Sequence, residues 1–144
     1  MLGGRFLDHT LHELHKHVKF SDEVLAMFID IIGQDPSLLK VFQYIAIEEQ
    51  RNKDRGVSIS HIIENVKVER LVRKSVGKNK YVYEEVFTNI ERKNVEKMVD
   101  KLMFMSLIYH EAIKPYKFLF LTNRGKQLIA KLVENKTKDK ELRK

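Results

Sequence analysis

Apolar residues recur at helical spacing through most of the chain. Phe6, Leu7, Leu11, Leu14 and Val18 share one side of a helix predicted over residues 6–18, with polar side chains opposite. "SDEVLAMFIDIIG" predicts a second helix, with Ser21 as N-cap, acids in its first turn and Gly33 as its stop. Its apolar positions Val24, Leu25, Met27, Phe28, Ile29, Ile31 and Ile32 nearly encircle it. Such a helix must be buried, in the core or against another subunit. Pro36 suits the first turn of a third helix, whose stripe is Leu38, Val41, Phe42, Ile45 and Ala46.

"DRG" at 54–56 breaks the pattern, and "VSIS" offers a short strand before Ser60 caps a helix over "HIIENV". The stretch 67–87 reads two ways. "KVERLVRKS" extends that helix to a stop at Gly77, while "KYVYEEVF" suits an alternating strand or a short helix equally. Thr88 and Glu91 have the spacing of a capping box. The helix behind them buries Ile90, Val95, Met98, Val99, Leu102 and Met105. "SLIYHEAI" and "KFLFLT" then predict two strands around the turn "KPYK", and Thr122 caps a last helix. The tail "NKTKDKELRK" is charged and is expected to fray beyond Leu132–Val133.

From residue 36 the order is helix, short strand, helix, ambiguous segment, helix, strand, turn, strand, helix, which is that of a winged helix-turn-helix. "RKNVEKMVDKLMFMSLIYHEAIKPYKFLFLTNRGKQLIAKL" resembles the corresponding half of MarR-type and related winged-helix regulators. The matching positions are Val95, Met98, Val99, Leu102, Leu107, Ile108, Leu121, Thr122 and Gly125. The resemblance implies a mainly α fold with a small β-wing (α+β), a winged helix-turn-helix with extra N-terminal helices. It implies a recognition helix near 89–105 and a wing near 107–122. The chain departs from that family in two respects: Val66 and Thr88 lie about twenty residues apart where the two motif helices are usually joined by a few, and the wing is short and lacks the family's basic Asp-x-Arg hairpin.

A helix fits the major groove of duplex DNA, where exposed side chains near its N-terminus reach base edges. Arg92, Lys93, Asn94 and Lys97 occupy that face, opposite Val95 and Val99. Arginine forks onto guanine and asparagine onto adenine. Lys114, Tyr116 and Lys117 at the wing turn, with Arg124 after the helix cap, are candidate backbone contacts, and Ser60 and His61 complete the set. The bland reading is a solvated face, since Glu91, Glu96 and Asp100 interleave with these cations.

Charge sharpens the picture. The net charge is +7 over 144 residues, yet residues 1–35 hold three basic groups against six acidic ones. The remainder is a basic body of the kind that binds polyanions, nucleic acid above all. Residues 67–80 are its densest part, with six cations and one acid; their bland reading is a mobile loop. The expected division is 1–35 for dimerisation, 36–133 for DNA binding and 134–144 as tail. Zero cysteines exclude disulfides and thiolate sites. With no apolar run approaching roughly eighteen residues and no secretory layout at the N-terminus, a cytoplasmic protein without a membrane partner is expected.

"DHTLHELHKHV" places His9, His12, His15 and His17 close together. A zinc-protease helix needs His-Glu-x-x-His; here Lys16 stands where the second imidazole belongs. "GKNK" lacks the first glycine and the hydroxyl residue of a phosphate loop. No enzymatic role and no cofactor is expected. The leading expectation is a sequence-specific regulator of double-stranded DNA, acting as a homodimer. One alternative is a winged-helix protein-interaction module of a larger assembly, and another is a metal-responsive repressor using the four histidines. The simplest expectation for those histidines is an outward polar face, opposite Leu7, Leu11, Leu14 and Val18.

Overall fold

The computed structural model describes residues 7–51, 55–113 and 116–142. Among them the order is α1 (His9–His15), α2 (Asp22–Gly33), α3 (Pro36–Arg51), α4 (Ile59–Asn65), β1 (Lys67–Gly77), β2 (Lys80–Asn89), α5 (Arg92–Phe104), β3 (Ile108–Ile113), β4 (Tyr116–Leu121) and α6 (Asn123–Leu142). Six helices thus accompany two antiparallel hairpins, β1–β2 and β3–β4, which is the α+β class that the pattern predicts. No described helix is long and apolar enough to cross a membrane.

The core lies where the stripes of α3, α4, α5 and α6 meet the inner face of β3–β4. Val41, Phe42 and Ile45 of α3, Ile62 of α4, Val95 and Leu102 of α5, Leu119 of β4 and Leu128 of α6 are almost wholly removed from water. Each such side chain contributes about 1.5–3 kcal/mol relative to an exposed one. Val57 exchanges hydrogen bonds with Leu119 (3.0 and 2.8 Å), so the short strand expected at "VSIS" is a single bridge along β4. Thr122 caps α6 as predicted. Its hydroxyl accepts from the Gly125 N–H at 3.0 Å and donates to the Ser106 carbonyl at 2.6 Å.

Several local expectations need correction. Ser58, not Ser60, caps α4; its Oγ accepts from the His61 N–H at 3.2 Å, and the pairing of Val57 holds it extended. Thr88 caps nothing, because the chain is still extended there and pairs with Val68 across β1–β2. The N-cap of α5 is Glu91, whose side chain makes no capping bond. Residues 67–87 continue no helix. They belong to a long hairpin that runs from Lys67↔Asn89 to Gly77↔Lys80 and turns at Asn79, which takes a left-handed conformation (φ 58°) that asparagine tolerates. The charged tail also stays helical, α6 running through Glu134, which pairs with Lys131 and Lys138 (3.5 and 3.1 Å), to Leu142.

The N-terminal helix is shorter than expected and rotated. Leu7 is buried beside β3, its carbonyl accepting from the His110 N–H at 2.9 Å, and Asp8 caps α1 through the Leu11 N–H at 2.8 Å. That start turns His12 inward, 8% exposed and stacked on the Tyr109 ring at 3.7 Å, while Leu11 and Leu14 face solvent. The expectation of an outward imidazole face therefore fails at His12. Phe6 lies outside the described residues. In α2, Leu25 and Ile32 are buried and Phe28 and Ile29 half-buried, but Met27 and Ile31 remain exposed.

Candidate nucleic-acid interface

The candidate surface is built on α5. Val95, Val99, Leu102 and Met103 form its buried stripe, at the three- and four-residue spacing that keeps side chains on one helix face. The other face carries Arg92, Lys93, Asn94 and Lys97, all exposed at the N-terminal end. Free backbone N–H groups and the helix dipole make that end favourable for an anion such as phosphate. Glu91 at the cap works against this, and the Arg70 guanidinium lies 3.5 Å from its carboxylate.

Two further candidates sit beside it. Arg92 Nη2 donates to Ser60 Oγ at 3.1 Å, which brings the first turn of α4 to the first turn of α5. His61 lies in the same turn, its Nδ1 facing the Ser58 N–H at 3.5 Å as the second half of a capping box. Ser60, His61, Arg92, Lys93, Asn94 and Lys97 thus lie on two adjoining helix starts. Lys93, Asn94 and Lys97 make no side-chain hydrogen bond or ion pair with another described residue.

The wing candidates divide. Lys114 lies outside the described residues, and Tyr116 opens β4 in register with Ile113. Lys117 is exposed, yet it borders a cavity of about 350 Å³ between α5 and the β3–β4 hairpin, facing Asp100 and His110. Burial, and then the neighbouring Glu96, raises the Asp100 carboxyl above the usual range. Burial, and then Lys117, lowers the His110 imidazole. Arg124 does not belong to this surface. It is 3% exposed and donates to the carbonyls of His15 (3.0 Å), Val18 (2.8 Å) and Ser106 (3.2 Å) and to Ser106 Oγ (3.1 Å).

No family model, curated protein or solved structure matches this chain. The arrangement therefore rests on its own geometry. The pattern of the sequence leaves one exposed feature unplaced, the β1–β2 hairpin rooted beside α5. Asn89 Nδ2 donates to the Ile63 carbonyl at 2.6 Å, and Lys40 Nζ lies 5.0 Å over the Phe87 ring. Its six cations were visible as composition, but their projection on an exposed ribbon was not. Among the described residues no three His, Asp or Glu side chains are grouped as metal ligands, and His12 is turned to the core.

Proposed function

We propose that this chain is a winged-helix, sequence-specific regulator that binds double-stranded DNA as a homodimer. In this reading α3, α4 and α5 form the helical motif, α5 enters the major groove, and β3–β4 is the wing. The observation that carries it is the exposed quartet Arg92, Lys93, Asn94 and Lys97 at the N-terminal end of a helix whose opposite face is core. A major-groove helix needs donors of this kind at this end. The elements that follow α5, an antiparallel hairpin and a Thr122-capped helix, fit the same reading. Exposed Met27 and Ile31 on α2 supply an apolar strip for a second copy.

Selection from a random duplex pool tests the proposal. The chain is expected to enrich a preferred site with two half-sites about 34 Å apart. Asn94→Ala is expected to weaken that site by about 1–3 kcal/mol and leave unrelated duplexes nearly unaffected. Failure to bind any duplex, or an Asn94→Ala protein that binds the selected site like wild type, sinks the reading.

A further inference from the structure

The β1–β2 hairpin projects from the fold. Val68 is buried at its root, and from Glu69 to Glu85 both strands and the turn are exposed. The ladder register puts Leu71, Arg73, Ser75, Tyr81 and Tyr83 on one face, and Val72, Lys74, Val82 and Glu84 on the other. Acids stay on the body side. Glu69, Glu84 and Glu85 precede or follow a stretch from Arg70 to Tyr83 that contains five cations and no carboxylate. Arg70 is engaged by Glu91, which leaves Arg73, Lys74, Lys78 and Lys80 as the charge of the distal half. The Arg73 guanidinium lies 3.7 Å over the Tyr81 ring, a cation–π contact that orders it without neutralising it.

We propose that this hairpin is an arm that grips the phosphodiester backbone of duplex DNA away from the α5 site, without reading sequence. The proposal rests on the duplex-DNA reading of α5. Charge selects the occupant: a second copy docking arm to arm sets four cations against four, whereas a phosphate backbone is complementary and releases counterions. Reach supports it too. At about 3.3 Å per residue the ribbon extends on the order of 33 Å, close to the roughly 34 Å of one DNA turn. Its root is tied to α4 through Asn89 and to the start of α5 through Arg70, which sets the base of the arm beside the α5 site.

The test uses the full chain with Arg73→Gln, Lys74→Gln, Lys78→Gln and Lys80→Gln combined, on a selected site and on an unrelated duplex. Each lost phosphate contact lowers the slope of log affinity against log salt by about 0.9. A loss of up to about 3.6 units per bound protomer is expected, with both duplexes weakened alike and the preference between them retained. Hydroxyl-radical protection about one turn from the α5 site should vanish, while circular dichroism and Tm stay at wild type because the side chains are exposed. A wild type that binds, with a variant that keeps its slope and footprint, overturns the arm and leaves the α5 reading intact. A wild type that binds no duplex overturns both. A variant that changes only from dimer to monomer, with DNA affinity intact, makes the second copy the occupant and also overturns the arm.

Discussion

Arg124 shows how far a single residue departs from its expected place. An arginine after a helix cap reads as solvent-exposed, because arginine is rarely buried unless paired. Here its partners are the carbonyls of His15, Val18 and Ser106, separated from it in sequence and brought near only by folding. It ties the end of α1 and the following turn to the junction of α5 and β3. Truncation removes four part-buried hydrogen bonds made by a buried guanidinium, and hydrogen bonds to charged groups are worth about 1.5–3 kcal/mol each. Arg124→Ala should therefore lose about 3 kcal/mol or more in urea denaturation. Arg124→Lys should restore little, since an ammonium lacks the planar fork that reaches three carbonyls at once. Full stability in Arg124→Ala, with weaker DNA binding, returns this residue to the interface. The quartet on α5 was legible for the opposite reason, since its polar face alternates with a stripe that the helix period alone assigns.

At the scale of elements, legibility followed burial. α3, α5, β3, β4 and α6 each hide one face, so spacing and the Thr122 cap sufficed to predict them. The β1–β2 hairpin hides neither face beyond Val68, so no burial period separates strand from helix over 67–87. α1 failed differently: its orientation is set by Asp8 and by the Leu7–His110 backbone bond, and pairing across that distance leaves no local trace. Its rotation has a measurable consequence at α1 and β3. Burial lowers the His12 imidazole below its ordinary 6.5, against Glu13, which raises it, and with smaller lowering from Arg124, His9 and Lys126. The His110 imidazole is lowered as well, by burial and then Lys117, with the Asp8 carboxylate and the Leu7 carbonyl opposing. The folded state thus prefers both rings neutral, and the unfolded chain binds more protons. Stability is fully present above about pH 6.5 and falls as pH drops through the lowered folded values. Thermal melts should show Tm declining from pH 7 to pH 5, and His12→Phe, which keeps a ring on Tyr109, should flatten that decline. A Tm that rises on acidification contradicts the burial of both rings.

At the scale of the whole molecule, α2 keeps an apolar strip uncovered. The sequence demanded burial all round. The fold satisfies that demand through Leu25, Ile32 and, in part, Phe28 and Ile29, but leaves Met27 49% and Ile31 48% exposed. On the proposed reading this strip meets the same strip of a second copy, a two-fold contact that matches a two-half-site operator. It lies in the acidic leading segment, whose charge disfavours DNA and leaves the basic body to face it. Covering the exposed half of each side chain is worth about 1 kcal/mol, and four such side chains meet at the two-fold axis. Met27→Glu with Ile31→Glu is therefore expected to convert a micromolar dimer to a folded monomer with near wild-type Tm. Binding to a two-half-site duplex should then fall toward that of a single half-site, while α5 keeps its base preference. Sedimentation of the wild type as a monomer at micromolar concentration removes the dimer. A double variant that remains dimeric moves the contact elsewhere, and the apolar cleft between α3 and α6 at Ile47 and Val133 is the next surface to substitute.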